Sequence, residues 1–446
     1  MGRPSQTRAL DVWANGIRVG QWRLPARGAD EFLYDDAWAV SPVGRPLSLS
    51  LPVPLDPIPL RGAAVRSFFD NLLPDSDRIR QRIQTRFRTA GTGAFDLLAA
   101  IGRDCVGAVQ LLPEGEDCPD IRRILAEPLD DADVERILRG AAGSPRGVGQ
   151  LDDDDEELRI SIAGAQEKTA LLWHEGRWCR PLGATPTTHI FKLPLGLVGN
   201  RQADMRTSVE NEWLCAQILS AFGVPVASCR IGEFGEQKVL IVERFDRRLA
   251  DGGYWLRLPQ EDFCQACGVW ADVKYEADGG PGLKEIAAIL ANSDRRDTDL
   301  RTLLQAQLLF WLLAATDGHA KNFSIHLLPQ GHYQLTPLYD VLSAWPVIGK
   351  GANRLDYKKL KLAMALPGKN KHYKLAEVQR RHFNSTARLC GYGPDMEQII
   401  GETLANVDGA LEDVGNRLPA GFPADVFESI ASGMRQSAAR MADMPR

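Results

Sequence analysis

Near its start the chain alternates apolar and polar positions through Leu10-Asp-Val-Trp-Ala and again through Ile17-Arg-Val-Gly-Gln-Trp22, with Asn15-Gly16 between the two runs. Alternation with a period of two marks half-buried strands, and Asn-Gly suits the positive φ angles of a type I′ turn, so the pattern predicts a hairpin. A stretch punctuated by proline from Pro42 to Pro59 follows, then helical spacing around Ser67–Leu73 and through the arginine-rich residues 78–88. Residues 1–150 read as a small N-terminal α+β subdomain, closed by the stretch 140–150, which is rich in Gly with Ser and Pro. Beyond it lies the run Asp152-Asp-Asp-Asp-Glu-Glu157, whose like charges repel one another and stay solvated; it reads as a surface loop rather than a metal site.

Short β-like runs over 158–162, 168–173, 189–193 and 238–244 then surround one amphipathic helical pattern at 208–222. They predict a curled antiparallel sheet carrying one helix over residues 151–255. From 256 to 446 the pattern changes to long helical spacings at 284–292, 297–316, 374–389 and 395–415, and this last part is expected to be all α. The fold class is therefore α+β, with no internal repeat.

Composition bounds the function. The 446 residues are 44% hydrophobic and 25% charged, enough apolar material for large cores in two or three folding units. A net charge of -5 excludes a polycation that coats nucleic acid, yet residues 350–388 hold eleven Lys or Arg against Asp356 and Glu377 alone, a local excess of +9. Such a face suits a phosphate backbone, although a solvated helix and loop would carry the same charges. The longest apolar run, 308–315, is far short of the roughly twenty residues that cross a bilayer. Residues 1–30 hold five arginines and no continuous apolar segment, and the eight cysteines are scattered, so a cytoplasmic protein without disulfides and without a membrane is expected.

The stretch Ala315-Thr-Asp317-Gly-His319-Ala-Lys-Asn322 carries the most chemistry. In phosphoryl transfer by kinases an Asp orients the acceptor hydroxyl, an Asn five residues on holds a metal ion, and a second Asp binds the metals that bridge the phosphates. Asp317, Asn322 and Asp340 have that order and spacing, although Asp and Asn in a helix-terminating loop also serve simply as turn residues. Upstream, Ser161-Ile-Ala-Gly164-Ala-Gln-Glu-Lys168 offers a small-residue loop between β-like runs, and Lys192 alternates with apolar neighbours in His189-Ile-Phe-Lys192-Leu-Pro. Glu210 and Glu212 on the following helix are the carboxylates that could pair with Lys192; Glu212 is favoured because Val209, Cys215 and Ala216 place it toward the buried side. Val239-Leu-Ile-Val-Glu243-Arg-Phe245-Asp246 reads as a strand ending in a hinge, with backbone groups of Glu243 and Phe245 available to adenine. His319 is expected to orient Asp317. Cys264-Gln-Ala-Cys267 lacks a second ligand pair and reads as core packing, and no Gly-x-Ser-x-Gly or Walker-type motif occurs.

These motifs, with Thr187-Thr-His-Ile-Phe-Lys192-Leu-Pro, Leu258-Pro-Gln-Glu-Asp262, Tyr339-Asp340, Pro46-Leu-Ser-Leu-Ser-Leu-Pro52 and Phe69-Asp-Asn-Leu-Leu-Pro-Asp75, resemble the HipA family of serine/threonine-kinase toxins from bacterial type II toxin–antitoxin pairs. The resemblance runs through nearly the whole chain. It implies a two-lobed protein-kinase-like fold with an extra N-terminal subdomain and an all-α C-terminal lobe. It implies ATP and Mg²⁺ as cofactors, Asp317 as catalytic base, Asn322 and Asp340 as Mg²⁺ ligands and Lys192 as the phosphate-binding lysine. Ala163, Gly164, Ala165, Gln166 and Lys168, with Glu243, Phe245 and His319, complete the expected ATP-binding set, and Ser161 corresponds to the family's autophosphorylation site. The implied partners are a small HipB-like antitoxin, operator DNA bound through the complex, with corepression of the operon, and a protein substrate such as glutamyl-tRNA synthetase, whose phosphorylation arrests growth. Two rival readings remain: a small-molecule phosphotransferase, and a DNA-bound corepressor with a silent kinase site.

Overall fold

The structure is a computed structural model that describes residues 7–118, 120–142, 161–164, 166–199 and 201–446. The first hairpin forms as its alternation dictates. Strands Arg8–Ala14 and Ile17–Leu24 pair across Asn15 and Gly16, whose φ angles of 49° and 80° are the positive values the turn requires. They lie in a five-stranded antiparallel sheet ordered Leu60–Arg61, Glu31–Tyr34, Ile17–Leu24, Arg8–Ala14, Gln110–Pro113. Helices Ala63–Asp70, Asp77–Phe87 and Ala94–Ile101 accompany it. Trp22 stacks on Phe69 at 4.1 Å in this subdomain's core; truncating such an aromatic costs roughly 3–5 kcal/mol.

A second antiparallel sheet has six strands in the order Cys229–Phe234, Gln237–Glu243, His189–Lys192, Lys168–His174, Arg177–Pro181, Ala126–Pro128. Its edge strand and helix Asp131–Ala141 come from before residue 150. Val134, Ile137 and Leu138 of that helix bury against Leu171, Phe191 and Val239 of the sheet, so a boundary at 150 divides elements that share one core. Of the expected β-like run 158–162, residues 158–160 lie outside the described residues, as do the acidic run 152–157 and all of 143–150; Ser161 and Ile162 are in no strand. Helix Ser208–Ala221 is buried on more faces than an amphipathic pattern suggests, because its polar residues Glu210, Asn211 and Glu212 each meet a partner: Lys238, the Ser343 backbone and Lys192.

The expectation of an all-α region after 256 is wrong. Helices Leu283–Leu290, Arg296–Leu312, Arg380–Leu389, Glu397–Gly415 and Ala424–Ala442 build most of it, but Gln260–Asp262, Ser324–Leu327 and Tyr333–Leu335 form a three-stranded sheet, and Lys361–Pro367 pairs with Lys371–Lys374. These strands are too short, or too evenly buried as in Leu362–Leu366, to show alternation, and of the expected helical spacing 374–389 the first residue, Lys374, ends a strand while the helix begins only at Arg380. Among the described residues no helix is long and apolar enough to cross a membrane, and all eight cysteines are free thiols. Cys264 is buried and Cys267 half-buried beside the short helix Phe263–Ala266, the packing role expected of them.

Three buried arginines fix the two sheets to each other. Arg244, Arg247 and Arg257 all reach the Asp104 carboxylate, at 3.4, 3.0 and 3.0 Å, while Asp246 takes Arg244 at 2.8 Å and the Gly107 N–H at 2.7 Å. Burial opposes the Asp104 charge, but the arginines overcome it and hold its pKa far below the usual carboxylate range.

Candidate active site

A cleft opens between the six-stranded sheet and the helical region, and the N-terminal subdomain supplies part of its wall through Asn71, Leu72 and Asp75. Strand register decides which lysines face it: Lys192 stands opposite Lys168 on one side and Leu240 on the other. The Lys192 ammonium is 2.5 Å from Glu212 Oε1 and 3.0 Å from Asp340 Oδ1, and Lys192 and Glu212 are both buried. Glu210 turns to Lys238 instead. Burial works against the Lys192 charge, but Asp340 and Glu212 outweigh it and hold its pKa above the ordinary value. Burial likewise opposes the Asp340 carboxylate, which Lys192 and Lys168 hold ionised well below its usual range. Among the described residues Lys168 has no such ion pair, and burial together with the Lys192 charge pushes it down to about 8.

The catalytic-loop candidates follow helix Arg296–Leu312, which Leu313 and a left-handed Ala314 (φ 50°) bring to an end. Gly318 passes so close to Phe310 that a Cβ there would come within 2.4 Å of the ring. The loop then folds on itself: the Asn322 amide donates to the Asp317 carbonyl at 2.9 Å and to the Asp340 carbonyl at 3.3 Å. Asp340 holds a left-handed φ of 62°, a conformation that a non-glycine residue adopts at a cost and that recurs at functional sites. Asp317 is exposed to the cleft, and its Oδ1 accepts from the Tyr275 hydroxyl at 2.5 Å. His319 is buried, edge-on to Tyr275 at 5.1 Å, with an Nδ1 that has no partner among the described residues; burial lowers its pKa.

The loop from Ser161 is docked onto the N-terminal subdomain. Ser161 is fully buried, its Oγ donating to the Leu72 carbonyl at 2.7 Å and its N–H to the Asp104 carbonyl at 3.1 Å. Asp75 N–H donates to the Gly164 carbonyl at 3.1 Å, and Arg82 and Arg78 hold Glu167. Lys168 closes the loop from within by donating to the Ala163 carbonyl at 2.7 Å, and Gln166 reaches the Leu193 carbonyl at 2.5 Å. A side chain at Gly164 (φ 111°) would meet the Lys168 ammonium at 2.5 Å. Ala165 lies outside the described residues. At the hinge, Glu243 N–H is committed to the Ser228 carbonyl at 2.8 Å, so of the Glu243 backbone the carbonyl is the group left to a base; the Phe245 ring is half-buried between His326 and Tyr339.

Lys192, Lys168, Ala163, Gly164, Gln166, Glu243, Phe245, His319, Asp317, Asn322 and Asp340 thus line one cleft, with Ser161 buried behind its loop. Sequence reasoning missed Asp75, Lys274, Tyr275 and Lys321. Lys321 is buried with its ammonium 2.7 Å from Asn71 Oδ1 and 3.1 Å from Asp262 Oδ2, and Lys274 bridges to Asp75 at 2.8 Å. Asp75 and Lys274 are single charged residues remote in sequence, which carry no spacing signal of their own. For a metal, the described residues hold no cluster of three or more His, Cys, Asp or Glu ligands. They do hold the pair a phosphate-bound Mg²⁺ needs: an ionised Asp340, and an Asn322 whose amide nitrogen is spent on two carbonyls, leaving its oxygen as donor. On the basic stretch, Lys350, Lys358, Lys359, Lys361, Lys369 and Arg381 are exposed, whereas Lys371 pairs with Glu276 and Lys374 with Glu377.

Comparison with known proteins gives the family of the chain. Residues 160–411 match the HipA-like C-terminal domain and residues 10–112 the HipA N-terminal domain. A Sinorhizobium fredii protein with the name "Putative kinase Y4mE" is 34% identical over 419 residues, 92% of this chain and 93% of the relative. The serine/threonine-protein kinase toxin HipA of Shewanella oneidensis is 29% identical over 357 residues, 76% of each chain. Among solved structures, the complex of Shewanella oneidensis HipA with HipB and operator DNA contains a chain that superposes with a TM-score of 0.77 at 23% identity, covering 98% of both, a likeness of fold.

Proposed function

The chain belongs to the HipA family of serine/threonine kinases, and on that premise we propose that it is the ATP- and Mg²⁺-dependent toxin of a toxin–antitoxin pair. The observation that carries this reading is the buried Lys192–Glu212 pair reaching Asp340, across the cleft from Asp317 and Asn322. In this reading the six-stranded sheet with helix Ser208–Ala221 is the upper lobe and the helical region the lower one. Lys192, Lys168 and the backbone of 161–168 hold the phosphates, and the Glu243 carbonyl and Phe245 flank the adenine. Asp340 and the Asn322 side-chain oxygen would hold Mg²⁺, which would supply neutralisation of phosphate charge. Asp317 accepts the proton of the attacking serine or threonine hydroxyl as the γ-phosphoryl moves to it.

Ser161 is the proposed autophosphorylation site. Its full burial supports a sequence in which the loop leaves the Leu72 carbonyl before the hydroxyl is modified, and the added negative charge then keeps the loop out of the triphosphate site. A HipB-like antitoxin is the proposed partner. The exposed lysines between 350 and 369, with Arg381, are the proposed face toward operator DNA in the corepressor complex, and an aminoacyl-tRNA synthetase, glutamyl-tRNA synthetase first, is the proposed cytoplasmic substrate. Phosphoproteomics of cells expressing the wild type beside Asp317→Ala tests the target: one new phosphosite on a synthetase supports it, and none removes it.

A further inference from the structure

Residues 274–276 tie two separate parts of the molecule to the reaction centre. Lys274 bridges at 2.8 Å to Asp75 of the N-terminal subdomain, Tyr275 donates to Asp317 Oδ1 at 2.5 Å, and Glu276 accepts from the Ala365 N–H at 2.6 Å and from Lys371 at 2.8 Å on the Lys361–Lys374 hairpin. Among the described residues Tyr275 is the one side chain that hydrogen-bonds the Asp317 carboxylate, which otherwise projects into the cleft from an exposed position. Its ring is set edge-on against the buried His319 imidazole, two residues from the base. Burial and the Asp317 charge both push the phenol above its ordinary pKa, so it stays a donor.

A carboxylate that must take a proton has two oxygens and a freely turning Cβ–Cγ bond. Tying one oxygen to a donor fixed at both flanks leaves the other directed at the place of the acceptor hydroxyl, which lowers the orientational cost of reaching the reactive geometry. We propose that Tyr275 is a positioning residue for phosphoryl transfer: it holds Asp317 Oδ1 so that Oδ2 receives the acceptor proton. This rests on the kinase reading of the cleft. No bond to Tyr275 forms or breaks in the step; the proton passes from acceptor to Asp317 while the γ-phosphoryl passes to the acceptor oxygen.

The test is Tyr275→Phe, which deletes the hydroxyl and keeps the ring on His319. Purified full-length wild type, Tyr275→Phe, Asp317→Asn and the double variant are compared for phosphate transfer to protein from labelled ATP-Mg²⁺, for binding of a fluorescent ATP analogue, and for melting temperature. The expected result is a kcat about tenfold to a hundredfold lower in Tyr275→Phe, with ATP binding and KM for ATP within about twofold of wild type and an unchanged melting temperature. In the Asp317→Asn background the same substitution should cost nothing further, because the carboxylate it positions is gone. A kcat in Tyr275→Phe equal to or above wild type overturns the assignment while leaving the kinase reading intact, and so does a full additional loss in the double variant. A wild type that binds the nucleotide but transfers nothing overturns both.

Discussion

Lys168 and Lys192 stand directly opposite each other on neighbouring antiparallel strands, and their charges are settled in opposite directions. Lys192 has Glu212 and Asp340 and stays charged, whereas Lys168, half-buried beside it with a backbone carbonyl as its hydrogen-bond partner, is brought down to about 8. The protein therefore keeps one permanent and one conditional positive charge at the phosphate site, and the conditional one has a consequence in pH.

Because the folded pKa of Lys168 lies below that of the free side chain, the unfolded chain binds a proton that the folded chain lacks between about pH 8 and 10.5. Raising pH through that window should stabilise the nucleotide-free fold through this group while weakening ATP, which needs the charge. ATP affinity measured from pH 7 to 9 is expected to fall with rising pH, and Lys168→Met should bind more weakly throughout and lose most of that slope. A wild-type affinity that does not change over this range would contradict the assignment.

Replacing Lys192 by Met leaves Glu212 and Asp340 facing each other without their shared cation. Breaking a buried pair from one side costs about 3–5 kcal/mol. Denaturant unfolding should report a loss of that order together with loss of transfer, and Glu212→Gln should be milder because Lys192 keeps Asp340.

At the junction of the two sheets Asp104→Ala strips three buried arginines of a common partner. A destabilisation of about 3–5 kcal/mol is expected by the same reasoning. Destabilisation below about 1 kcal/mol would show that the arginines find other acceptors.

Ser161→Glu places a charge where the hydroxyl is fully buried against the Leu72 carbonyl. The loop is expected to leave its dock: proteolysis within 161–168 should accelerate, and ATP affinity should drop at least about tenfold, equivalent to ~1.4 kcal/mol. Unchanged cleavage would contradict the docking role of Ser161.

On the basic face, Lys358, Lys359, Lys361 and Lys369 are exposed and form no ion pair among the described residues, unlike Lys371 and Lys374. If they meet operator DNA in the antitoxin complex, each Lys→Ala should reduce the slope of log affinity against log salt by about 1, with little change in sequence preference.

Much of this was legible in the sequence where the signal is local. Asn15-Gly16 between alternating runs specifies its hairpin, and the spacing of Asp317, Asn322 and Asp340 picks out residues that the fold does gather in one cleft. Preferring Glu212 to Glu210 needed only its buried neighbours. The strands after residue 256 were hidden because Leu362–Leu366 is buried without alternation and the others span three or four residues. A boundary at 150 divides one packed unit: helix Asp131–Ala141 before it and strand Lys168–His174 after it share a core, so the Gly-rich and acidic composition of 140–157 is no mark of a domain end. Tyr275 and Asp75 were invisible for a different reason, since their roles come from contacts with residues 42 and 89 or more positions away.

The most direct test of the central claim is transfer of labelled γ-phosphate from ATP-Mg²⁺ by the purified full-length chain beside Asp317→Asn, with nucleotide binding measured on both. The account predicts phosphoprotein formed by the wild type on serine or threonine, transfer slowed at least about a hundredfold but still measurable in Asp317→Asn, and ATP bound equally by both. Phosphoprotein formed at the wild-type rate by Asp317→Asn would contradict it.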